Sequence, residues 1–90
     1  MSCYLIGYDL NKNGKDYTGL IEAIKALSGT WWHQLDSTWI ISHPGPAKSI
    51  RDHLRPHIDG DDELLVVALQ REAAWWGFSQ QGTSWLQSNL

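Results

Sequence analysis

Asp9 is the residue of this 90-residue chain with most chemistry to offer. It closes the run Tyr4-Leu5-Ile6-Gly7-Tyr8-Asp9-Leu10. In a strand, Tyr4, Ile6, Tyr8 and Leu10 share one face, and Leu5, Gly7 and Asp9 share the other. If the first set meets a core, Asp9 faces away from it. A two-fold axis there would bring two Asp9 carboxylates together, a geometry that favours a shared proton or a hard divalent cation such as Mg²⁺ or Mn²⁺. A cation so held activates water for phosphodiester cleavage. The plain alternative is that Asp9 opens a turn by accepting the backbone N–H of Asn11 or Lys12.

Lys12 and Lys15 flank Gly14 directly after Asp9, so this loop can meet a nucleic-acid phosphate. The spacing of a P-loop is absent, and solvated turn lysines explain the pair equally well. His53 and His57 share a helix face four residues apart, a zinc-ligand spacing. The glutamate of a metalloprotease motif does not follow His53, and Pro56 distorts the turn. Asp59, Asp61, Asp62 and Glu63 lack the spacing of an EF-hand and read as a turn. Cys3 sits in a strand without a visible activating base. Ser37 has no nucleophile-elbow context. Arg51 and Arg55 need no purpose beyond a solvated helix face.

These residues need elements to hold them. Asp16 is placed to cap a helix that carries Tyr17, Leu20, Ile21, Ile24 and Leu27 at helical spacing and stops at Gly29. Thr30 to Leu35 and Thr38 to Ser42 read as a hairpin turning at Asp36-Ser37. Pro46 opens a second helix with the stripe Ala47, Ile50, Leu54 and Ile58, which Pro56 should kink or end. Glu63 to Leu69 is apolar enough for a central strand buried on both faces. Ala73 to Phe78 suits a short fifth strand, Ser79 to Gly82 a loop, and Ser84 to Leu90 a terminal helical turn. The order β-α-β-β-α-β predicts an α+β fold, the ferredoxin-like antiparallel sheet with two helices on one face and a short C-terminal strand or tail. One domain over 1–90 is expected, with its core in 4–69 and an extension over 70–90.

Composition adds an assembly argument. Six tryptophans stand beside a single phenylalanine. Trp31 and Trp32 point to opposite faces of a strand, as do Trp75 and Trp76 if that run is a strand, and Trp39-Ile40-Ile41 is apolar on both sides. One sheet face has no helices of its own, so wet aromatics there form an association surface. A homodimer is expected, with Trp31, Trp39, Trp75 and Trp76 at its interface; the alternative is a tail folded over its own sheet. Net charge is −3, from seven Lys+Arg against ten Asp+Glu. Any nucleic-acid contact must therefore come from a local basic patch set against the overall field. A single cysteine, no basic leader and no apolar run near ~20 residues point to a cytoplasmic protein without a membrane span.

The runs Tyr4 to Leu10, Trp32-His33-Gln34-Leu35-Asp36-Ser37-Thr38-Trp39-Ile40-Ile41 and Asp62 to Val67 resemble the small CRISPR-associated endoribonuclease family, the smaller subunit of the spacer-integration complex. Virulence-associated protein D toxins and short SinR-like proteins are similar too. The likeness spans about residues 4–69, with Tyr8-Asp9 its sharpest motif and Gln34 and Ser37 a second. It implies a ferredoxin-like dimer with packed open sheet faces, a C-terminal strand often added to the partner, and a metal at the strand-ending aspartate, here Asp9. Some members bind DNA as scaffolds without a clear need for that aspartate. The acidic balance, the tryptophan load and the longer tail depart from the family.

Overall fold

The structure is a computed structural model that describes residues 1–11 and 16–90. Lys12 and Lys15, the expected phosphate contacts, lie outside the described residues.

Strand β1 (Ser2–Asp9) leads to helix α1 (Thr18–Ala26), then β2 (Trp31–Leu35), β3 (Thr38–His43), α2 (Ala47–Leu54), β4 (Glu63–Ala68) and α3 (Gln80–Asn89). The four strands form one antiparallel sheet in the order β2-β3-β1-β4. Among the described residues this is an α+β molecule with three α-helices.

The helices form where the apolar spacing demands them. The Asp16 carboxylate accepts the Thr18 amide at 2.9 Å and its hydroxyl, which also holds the carboxyl below its ordinary range. Leu20, Ala23 and Ile24 of α1 and Ile50 and Leu54 of α2 bury against Tyr4, Ile6, Trp39 and Ile41 of the sheet. Pro56 ends α2 as expected. Its missing N–H is tolerated in a 3-10 turn over Arg55–His57, and Ile58 still reaches the core. At Gly45 (φ +74°) the chain passes so close to Tyr4 that a Cβ would lie 2.0 Å from the phenol oxygen, so only glycine fits.

The hairpin turns at Asp36-Ser37, with Leu35 opposite Thr38. Neither turn residue has a positive φ, so this is not one of the primed turns that match strand twist. The register shifts between Trp32 and Leu35, and this irregularity returns Leu35 to the face Trp32 occupies.

Three expectations fail for chain beyond the hairpin. β4 is an edge strand, not a central one, because β1 occupies the centre and pairs with both β3 and β4. Its Leu65 and Val67 are 60% and 39% exposed. Ala73 to Phe78 forms no strand; Gly77 at φ +85° bends it into an irregular strap. The end of the chain is a ten-residue helix, not a turn, and it starts within the expected loop because the Ser79 hydroxyl accepts the Gly82 amide at 3.1 Å.

Strap and helix fold over the chain's own sheet. Cys3, Trp32, Ile40 and Leu86 form a second buried cluster on the face opposite α1 and α2, with Leu69, Trp75, Phe78, Trp85 and Leu90 around it. The tail thus covers the β2–β3 side of the face that the sequence leaves bare. Leu35, Leu65 and Val67 stay exposed.

Candidate functional site: a cross-strand carboxylate pair

Tyr4 and Ile6 lie in the helix-side core, with Tyr8 and Leu10 packed against it. Strand alternation then sets Asp9 on the opposite face, as expected. Asp9 is exposed at the end of β1, directly opposite Glu63, the first residue of β4. Residues so paired hold their Cβ atoms about 5 Å apart, and like charges there repel. Both acids line a shallow cavity of ≈ 350 Å³ with Gly7, Ser37, Thr38 and Leu65. Gly7 lies opposite Thr38 on one side and Leu65 on the other, and having no side chain it leaves this floor open.

A separate carboxylate holds the pair in register. Asp62 accepts the Asn11 amide at 2.8 Å, the Asp59 amide at 2.8 Å and the Tyr17 hydroxyl at 2.7 Å. The Asn11 side-chain amide donates to the Asp61 carbonyl at 2.8 Å. The chain just past β1 is thereby stapled to the chain just before β4, and α1 is tied in through Tyr17. Asn11 donates to Asp62 and not to Asp9, so this half of the turn-opening alternative for Asp9 is not realised; Lys12 lies outside the described residues. Sequence reading placed Asp62 and Glu63 in a generic acidic turn. The staple spans some fifty residues of chain, which no local spacing reveals.

The tryptophans separate. Trp31 is exposed at the outer strand β2 on the helix side, with the Lys25 ammonium 5.5 Å from its ring. Trp39 is 2% exposed in the main core. It is therefore spent inside the protomer and not on a partner; its indole N–H donates to the Tyr8 hydroxyl at 3.0 Å, and His33 stacks on it at 3.8 Å. Trp75 turns inward and donates to the Thr83 hydroxyl at 3.3 Å. Trp76 is 94% exposed.

The other candidates stay apart. His43 accepts the Gly45 amide at 2.8 Å, and Arg51 pairs with its neighbour Asp52 at 2.9 Å. Among the described residues, no three His, Cys, Asp or Glu side chains gather into a metal site. No helix among them is long and apolar enough to cross a membrane.

No protein-family model matches this chain, and no solved structure matches it.

Proposed function

We propose that the chain is a ferredoxin-like homodimer that cleaves RNA or DNA phosphodiesters with Mg²⁺ or Mn²⁺, akin to the small CRISPR-associated endoribonucleases. The order β2-β3-β1-β4 with α1 and α2 on one face supports the fold. The observation that carries the function is the exposed Asp9–Glu63 pair, two facing carboxylates whose neighbour Asp62 is already saturated by protein donors.

That donor set fits Mg²⁺, which keeps several waters and takes one or two carboxylates plus substrate phosphates. A bound ion would supply a lowered water pKa and charge neutralisation at the phosphoryl oxygens. Asp9 and Glu63 would hold it, the Asp62 staple keeps them in register, and Lys12 and Lys15, which follow Asp9 closely in the sequence, would offer charge to the nucleic-acid backbone. The net charge of −3 favours a second reading, a non-catalytic scaffold or a toxin–antidote or phage-defence module that meets a protein partner.

The test is cleavage of labelled RNA and DNA with added Mg²⁺ or Mn²⁺ by the wild type, Asp9→Ala and Glu63→Gln. The wild type cleaves only with metal. Asp9→Ala loses about 100-fold or more, because Lewis-acid stabilisation is worth several kcal/mol. Equal cleavage by all three proteins, or none by any, removes catalysis and leaves the scaffold.

A further inference from the structure

We infer that Trp76 is a knob that seats in the apolar cleft of a second copy of this chain, so that one two-fold axis makes the contact twice. The inference rests on the dimer in the reading above and names what joins it.

Trp76 is exposed because its neighbours are committed elsewhere. Trp75 turns inward to Thr83, and Phe78 packs edge-on against Trp32 with ring centroids 4.9 Å apart. Between them Gly77 bends at φ +85°. The strap is anchored on both sides of Trp76, so an inward turn of that indole would undo one of the anchors. The backbone on both sides of the ring is held, so binding has only the indole itself to order.

A matching hole lies beside it. Between the strap and the half-covered sheet runs a cleft of ≈ 340 Å³, walled by Leu5, Leu35 and Thr38 on the sheet and by Ala74, Trp75 and Phe78 on the tail. Trp76 is not among the residues of its own cleft. On the sheet the cleft reaches Leu5 of β1, whose cross-strand partner is the exposed Val67, with exposed Leu65 on the same face. Knob and hole are carried by one strap, Trp76 standing next to the lining residue Trp75, and a self-complementary pair of that kind suits an isologous contact.

Area argues for the same occupant. A stable dimer buries about 800 Å² per partner, about a seventh of the 5849 Å² this protomer exposes. Three aliphatic side chains fall short of that. A tryptophan adds about 150–250 Å² of its own and covers the cleft walls it enters. Buried tryptophans in desolvated pockets are the usual centre of interface affinity.

The experiment is sedimentation velocity over a dilution series on the wild type, Trp76→Ala, Ala74→Trp, which fills the hole from an exposed position, and an equimolar mixture of the two variants. Circular dichroism confirms folding. The wild type is a dimer, and each variant weakens it about 30-fold or more. The mixture forms a heterodimer tighter than either variant alone, because it keeps one intact knob and one intact hole. The dye 8-anilinonaphthalene-1-sulfonate enters the cleft of Trp76→Ala and not that of the wild-type dimer. A wild-type dimer that Trp76→Ala leaves unchanged overturns the knob but keeps the dimer. Variants that dissociate without rescue in the mixture overturn the pairing of knob with hole. Equal dye uptake by wild type and Trp76→Ala means a small apolar molecule is the cleft's occupant and also overturns it. A monomeric wild type at about 100 μM overturns both knob and dimer.

Discussion

Asp9, Glu63 and Asp62 show how three similar side chains divide their work by contact. Asp62 spends its oxygens on two backbone amides and a phenol, so its role is to hold chain segments. Asp9 and Glu63 face each other with room in front of them. Cys3 is a different case, a thiol that burial makes inert. Its S–H donates to the Asn89 carbonyl at 3.0 Å, and burial pushes its ionisation up, opposed in part by the nearby N-terminal ammonium. The folded thiol therefore stays protonated where the unfolded thiol ionises. The stability this confers is whole below the ordinary thiol value of ~8.5 and is lost as pH rises through that value towards the raised one. Urea melts at about pH 7 and about pH 10 are expected to show the loss. An aromatic disulfide reagent should label Cys3 slowly in the folded chain and at once in urea. Prompt labelling of the folded chain would contradict the burial.

At the scale of elements, α3 is the unexpected part. Its residues are weakly patterned, and a helix of ten residues is marginal alone. It persists because Ser79 caps it and Leu86 inserts into the cluster of Cys3, Trp32 and Ile40. Trp85 adds a tether, its indole N–H donating to the Thr30 hydroxyl at 2.6 Å. Leu86→Ala is expected to cost about 2–5 kcal/mol, the range for a buried leucine. Chemical denaturation measures the loss, and hydrogen exchange should show α3 opening before the β1–β3 ladder. A loss under about 0.5 kcal/mol, the level of a surface substitution, would mean that α3 does not dock as described. β4 poses the opposite problem. Among the described residues no strand pairs with its outer edge, so Glu63–Ala68 offers an unpaired row of backbone groups beside exposed Leu65 and Val67. Edges of that kind are association sites.

The whole molecule is small enough for these surfaces to matter. A domain of this size buries only roughly 60–70% of its unfolded surface. The tail improves on that by closing the β2–β3 side of the second sheet face; the side left open carries Leu65 and Val67, and exposed Leu35 and the cleft lie along the tail. If a second copy closes it, folding and association are linked by mass action. The thermal midpoint is then expected to rise with protein concentration, measured by calorimetry over a hundredfold range, and Trp76→Ala should flatten that dependence. A midpoint independent of concentration for the wild type would separate stability from association.

Period and turn chemistry alone determined α1, α2, the four strands, the two-residue hairpin and the side of β1 on which Asp9 stands. Each of these depends on residues within a few positions of one another, so local spacing carries the information. Tertiary structure decided the rest. An apolar run such as Glu63 to Leu69 reads alike at the centre or the edge of a sheet, and only the pairing of β1 with both β3 and β4 made it an edge. Trp75 and Trp76 are the same residue type side by side, yet one anchors the strap and the other stands in water, because Thr83 of α3 and the second buried cluster take the first. The Asp9–Glu63 pair and the Asp62 staple join positions some fifty residues apart. Their meaning lies in register, and register is set by the packing of the whole sheet.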